Sequence, residues 1–132
     1  MNTALLLFSA GISFFFLSAC SNSAGPYPEI NRNFTSIGVG NSHSCGLING
    51  TIKCWGANTS NQLGDGTAID KTTPTTPYGL SSNVTQLVVG LNHSCAVIRS
   101  GVKCWGIAAS GQLGNGSITA RVYPQDVTGL TS

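Results

Sequence analysis

Apolar residues are distributed along this chain in two ways. Residues 4–19 form one run, broken only by Ser9, Gly11, Ser13 and Ser18. From Asn33 onward apolar residues come in short bursts instead. Val84-Thr85-Gln86-Leu87-Val88-Val89 is β-branched and apolar, and it stops at Gly90. Cys95-Ala96-Val97-Ile98 and Val102-Lys103-Cys104-Trp105 are two more bursts. They are four to six residues long and none keeps a 3.6-residue period. The pattern therefore predicts short strands and no helix in this part of the chain.

Those bursts recur. Shifted by 50 residues the chain lands on itself, with 21 identities between 33–82 and 83–132 and no gap. His43-Ser44-Cys45 meets His93-Ser94-Cys95, and Lys53-Cys54-Trp55-Gly56 meets Lys103-Cys104-Trp105-Gly106. Gln62-Leu63-Gly64 meets Gln112-Leu113-Gly114, Pro74 meets Pro124, and Gly79-Leu80 meets Gly129-Leu130. A period near 50 marks repeat arrays and propeller blades. Three or four short strands per repeat predict a meander sheet, one blade of a propeller.

One hairpin can be placed in register from the sequence. Asn49-Gly50 is a strong type I′ turn signal, because both turn positions need φ > 0. That turn sets Ile48 against Thr51, Leu47 against Ile52, Gly46 against Lys53 and Cys45 against Cys54. Alternation from the turn makes Cys45/Cys54 a non-hydrogen-bonded pair, with a Cα separation of about 4.5–5.5 Å. A disulfide fits that spacing. Cys95 and Cys104 keep the same spacing, but Arg99-Ser100-Gly101 is a poorer type I′ turn with room for a bulged residue, so their register is less firmly set.

The N-terminal run reads as targeting. Sixteen residues in a helix would span about 24 Å, short of the roughly 30 Å hydrocarbon core. The run fits the apolar region of a secretory signal, although Met1-Asn2-Thr3 carries no Lys or Arg. Leu17-Ser18-Ala19-Cys20 resembles the bacterial lipobox, which implies cleavage before a lipidated Cys20. The alternative is an ordinary signal peptide cut after Ala19, with Cys20 left free. Ser21, in place of Asp, points to the outer membrane under enteric-type sorting rules. The polar, Pro-containing stretch after Cys20 reads as a tether. The expected organisation is a signal peptide at 1–19, lipidated Cys20 with its tether at 20–32, and repeats at 33–82 and 83–132. The product would be exported and lipid-anchored, facing the periplasm or the cell surface.

Composition narrows the function classes. Only 8% of residues are charged, against about 25% in ordinary proteins. Ser, Thr and Asn supply 40 residues and Gly another 17. Such a chain is neither a coiled coil nor a charge-rich disordered segment. A net charge of +2, scattered along the chain, gives no footprint for nucleic acid.

The repeats resemble those of the regulator of chromosome condensation family. The resemblance rests on the His-Ser-Cys and Cys-Trp-Gly steps, the Gln-Leu-Gly-Asp/Asn-Gly loop and the closing Pro…Gly-Leu, and it covers residues 33–132. It implies an all-β fold: two propeller-type blades of short antiparallel strands, a partial β-propeller preceded by a signal segment. The Cys pairs resemble the exported bacterial branch of the family. Propellers use four to eight blades, so two repeats read as a fragment of a longer propeller. Left alone, two blades would keep both outer faces open. Self-association, completion by another repeat protein, or aggregation is then expected rather than a stable monomer.

Each candidate site has two readings. With Cys20 lipidated, the remaining four cysteines pair as Cys45–Cys54 and Cys95–Cys104, as suits an exported protein. The alternatives are a metal site of His43, Cys45 and Cys54 with its repeat counterpart, or free core thiols. His43 and His93 read as structural histidines bonded to a neighbouring loop, because no repeating Ser-His-Asp set accompanies them. Trp55 and Trp105 read as blade-packing aromatics rather than ligand platforms. Gln62 and Gly64, with Gln112 and Gly114, mark tight turns, since the loop lacks the Lys and following helix of a phosphate loop. No catalytic residue, metal or cofactor is assigned. The function expected is non-catalytic binding of a protein or surface through loops at one propeller face, with the partner unnamed. Guanine-nucleotide exchange, by family analogy, is the other alternative.

Overall fold

A computed structural model describes residues 34–131. The signal segment, Cys20 and the tether lie outside the described residues. The described residues form eight strands in two four-stranded antiparallel meanders. The first blade holds β1 (Phe34–Val39), β2 (His43–Ile48), β3 (Thr51–Gly56) and β4 (Lys71–Thr75). The second holds β5 (Val84–Val89), β6 (His93–Ile98), β7 (Gly101–Gly106) and β8 (Arg121–Thr131).

The β2–β3 hairpin has the register read from its turn. Asn49 and Gly50 take φ of 50° and 72°, as a type I′ turn requires, and Cys45 pairs with Cys54. The β6–β7 hairpin differs from the expectation. It has no bulge, and Ile98 pairs with Gly101 just as Ile48 pairs with Thr51. Gly101, at φ 139°, absorbs the left-handed backbone that Arg99 and Ser100 do not adopt. Bulges fall instead between β1 and β2 and between β5 and β6, at Phe34/Ser36 and Val84/Gln86. At these bulges Thr35 and Thr85 donate their hydroxyls to the carbonyls of Leu47 and Val97, at 3.3 and 3.2 Å.

The loop after each Trp is longer than a tight turn. It spans residues 57–70 in the first blade and carries two successive turns, closed by Asn61 N to Asn58 O and Gly64 N to Asn61 O. Asn58 organises it. Its buried amide donates to Asp65 Oδ1, Thr67 O and Ile69 O, and its Oδ1 accepts from Leu63 N. Burial pushes the Asp65 carboxyl up, but hydrogen bonds from Thr67 and Asn58, with nearby Lys71, outweigh it and hold the group below its usual range. The second loop has Ala108 in place of Asn58 and makes the same two turns without this hub.

Successive side chains of a strand point to opposite faces, so each blade has two unlike faces. One carries the cysteines: His43, Cys45 and Leu47 on β2, with Ile52 and Cys54 on β3. The other carries Ser44 and Trp55. The main core forms where the cysteine face of the first blade meets the Ser/Trp face of the second. It joins Cys45, Leu47, Ile52 and Cys54 to Val84, Leu87, Ala96 and Trp105. A smaller cluster of Cys104, Ala108 and Leu113 lies on the cysteine face of the second blade.

Candidate functional site

Four of the residues singled out in the sequence, His43, Gln62, Gly64 and Trp105, converge on the contact between blades. Trp105 leaves its own blade and enters the Gln62-Leu63-Gly64 loop of the first. Its indole N–H donates to the Gln62 carbonyl at 2.9 Å. A Cβ on Gly64 would lie 2.6 Å from Trp105 Cδ1, and Gly64 has φ 65°, so only glycine both makes the turn and admits the ring. Gln62 shapes this loop with its side chain, whose Oε1 accepts from Ser60 N at 2.8 Å. The Gln62 carbonyl also accepts from Ser94 Oγ at 3.3 Å.

His43 completes the network. Its Nε2 lies 3.0 Å from Ser94 Oγ. With the Ser94 proton donated to Gln62, the imidazole donates from Nε2, which leaves Nδ1 buried without a hydrogen-bond partner. The expected loop partner for His43 is thus a strand residue of the next blade, and the loop is reached only through Ser94. A histidine beside a serine resembles a base and its nucleophile, yet Ser94 is fully buried and Nδ1 has no orienting acid. The geometry makes this pair a clasp between blades.

Burial, and then the nearby His93, hold His43 below its ordinary pKa. The unfolded chain therefore binds a proton near pH 6.5 that the folded chain resists. Stability should fall as pH drops through about 6.5 and level off below the folded-state pKa. Thermal unfolding between about pH 8 and pH 5 should show this slope, and His43→Gln should flatten it. An unchanged slope in that variant would show that His43 does not carry the pH dependence.

Cys45 is bonded to Cys54 and Cys95 to Cys104, each with Cα atoms 4.1 Å apart. These bonds use the thiolates that the metal alternative required. Among the described residues no three His, Cys, Asp or Glu side chains gather as a metal set.

The repeat partners of the clasp stand apart from it. Trp55 is half-buried on the outer face of the first blade, beside a hollow of about 470 Å³ lined by Phe34, Thr35, Ser36 and Ile37. His93, Gln112 and Gly114 lie on the second blade, whose cysteine face meets no further blade among the described residues. Sequence reasoning missed Ser94, Asn58 and the Gln62 carbonyl. Repetition of the His-Ser-Cys step was the available signal for Ser94. Nothing in the sequence marks a backbone acceptor.

Residues 49–97 match the family model described as the Regulator of chromosome condensation (RCC1) repeat. Solved structures share the fold. Human WBSCR16 is similar at 23% identity with a TM-score of 0.63, over 72% of this chain and 26% of that protein. Prp20p from Saccharomyces cerevisiae, described with its binding properties to Gsp1p and histones, is similar at 22% identity and a TM-score of 0.65, over 77% and 27%. Yeast RCC1 (Prp20) with Kap60 bound is similar at 23% identity and a TM-score of 0.59, over 72% and 23%. The chain thus spans about a quarter of the length of these solved proteins. No curated protein matches it.

Proposed function

We propose that this chain, which carries repeats of the regulator of chromosome condensation family, is a non-catalytic protein-binding module held at a bacterial membrane by lipid on Cys20. The observation that carries the reading is a pair of loops held between strands, each with the same two hydrogen-bonded turns. Residues 57–70 and 107–120 connect the third and fourth strands of the two blades. Each presents a large apolar side chain to solvent, Ile69 in one and Ile118 in the other, exposed by 66% and 73%. Binding residues concentrate on such loops when strands hold them in place. Similar solved propellers are described with protein partners, Kap60 in one and Gsp1p and histones in another. Two disulfides suit an oxidising compartment outside the cytoplasm. The four residues ending at Cys20 supply the anchor, and two or three acyl chains would hold the protein stably.

Membrane fractionation and photo-crosslinking test this together. The protein should fractionate with membranes and begin at an acylated Cys20, and Cys20→Ser should release it. A photo-crosslinking residue at Ile69 or Ile118 should give a discrete adduct with a second, different protein. A free Cys20 thiol in the mature protein would defeat the anchor. No adduct, or adducts only between copies of this chain, would defeat the loop-binding role.

A further inference from the structure

We propose that copies of this chain assemble head to tail, with Trp55 of one copy seated in the Gln112-Leu113-Gly114 loop of the next. The described residues form one complete blade-to-blade interface, and the two outer faces of these blades are the separated halves of a second. Equivalent positions make this visible. Phe34 is 54% exposed, whereas Val84, its repeat partner inside the interface, is 4% exposed. Ile37 is 66% exposed and its partner Leu87 is 8% exposed. The exposed members are apolar although nothing among the described residues covers them. Trp55 stands among them, half-buried, where Trp105 is fully enclosed.

The receiving half is already folded. In the first blade Gly64 N bonds to Asn61 O and the Gln62 amide oxygen accepts from Ser60 N. In the second, Gly114 N bonds to Gly111 O and the Gln112 amide oxygen accepts from Ser110 N, at 3.0 and 2.8 Å. Gly114 keeps the left-handed backbone of Gly64, with φ 61° against 65°. Val127 lies against Gly114 where Trp105 lies against Gly64, so an entering indole displaces one aliphatic side chain. The Trp55 N–H then meets the Gln112 carbonyl, and His93 meets Ser44 as His43 meets Ser94. A second copy is the occupant because one chain offers both halves, and each copy that binds presents the same open half again. Such a heterologous contact closes into a ring when the rotation per copy allows. Propellers hold four to eight blades, so two, three or four copies are the expected sizes.

Sedimentation of the full chain in detergent, corrected for bound detergent, tests the assembly. The unaltered protein should sediment as two, three or four copies. Trp55→Ala should weaken association at least about thirtyfold, as expected for a buried aromatic anchor. Val97→Glu, on the opposite open face, should also give monomers. Mixing the two variants should restore one interface and give a heterodimer, because each keeps the half the other lacks. Circular dichroism and intact disulfides establish that both variants fold. Should Val97→Glu not fold, His93→Ala takes its place, with association weakened about tenfold. A monomeric parent protein, or variants that still assemble, would overturn head-to-tail assembly, as would a mixture that forms no heterodimer.

Discussion

Trp105→Ala should destabilise the protein by about 3–5 kcal/mol, the range for deleting a buried large aromatic. Trp55→Ala, at the same place in the other repeat, should cost less than about 1 kcal/mol in the isolated chain. The side chain, the flanking Cys and Gly and the strand position are identical. The environments differ. Trp105 is enclosed by the first blade, donates to the Gln62 carbonyl and fills the space above Gly64. Its removal leaves a cavity in the main core and a buried carbonyl with a weaker set of donors. Small domains hold about 5–15 kcal/mol in total, so this loss takes a large part of the stability. Urea unfolding at low protein concentration, followed by far-ultraviolet circular dichroism, compares the two variants without contributions from association. Equal losses would show that the blade contact does not distinguish the two residues.

The second large effect lies in the disulfides. Both bonds join residues nine apart. Closing a loop of that size stabilises by about 2.5–3 kcal/mol in the chain-entropy model. The bonds are nonetheless unequal. Cys45 and Cys54 are fully buried in the blade interface, whereas Cys95 is half-buried on the open face of the second blade. Replacing Cys45 and Cys54 together by Ala should therefore cost more than the loop term, because core contacts are lost as well. Replacing Cys95 and Cys104 should cost less, because only Cys104 of that pair sits in a core cluster, and a smaller one. Under graded reductant, Cys95–Cys104 should open first, as Cys95 is the most exposed of the four cysteines. Thermal unfolding of the two double variants, and alkylation of released thiols with peptide mapping, check both statements. Earlier opening of Cys45–Cys54 would contradict the protection assigned to the interface.

Much of the blade was legible because its determinants are local. The Asn49-Gly50 turn and the nine-residue spacing of Cys45 and Cys54 operate within one hairpin, so the register could be read without knowing the fold around it. The second hairpin was less legible because Gly101, the first residue of the strand, does the work usually done inside the turn. Reading Gln62 to Gly66 as a tight turn fell short for a related reason. The loop around it is held by Asn58, whose side chain bonds residues up to eleven positions away, and Ala108 shows that the repeat does not demand that hub.

Local sequence was enough to make residues 34–131 short strands and turns, to write one blade pattern twice, and to say which cysteines can face each other. These follow from strand periodicity, turn chemistry and the 50-residue repeat, all of which are properties of neighbours in the chain. Only the tertiary structure decided which copy of each repeated residue does what. Trp105 and Trp55 carry the same local code, as do His43 and His93, but one blade supplies a neighbour to the first of each pair and none to the second. The acceptor that joins the blades is the Gln62 carbonyl, a group every residue possesses. Its role depends on where the backbone runs in space, which no residue type records.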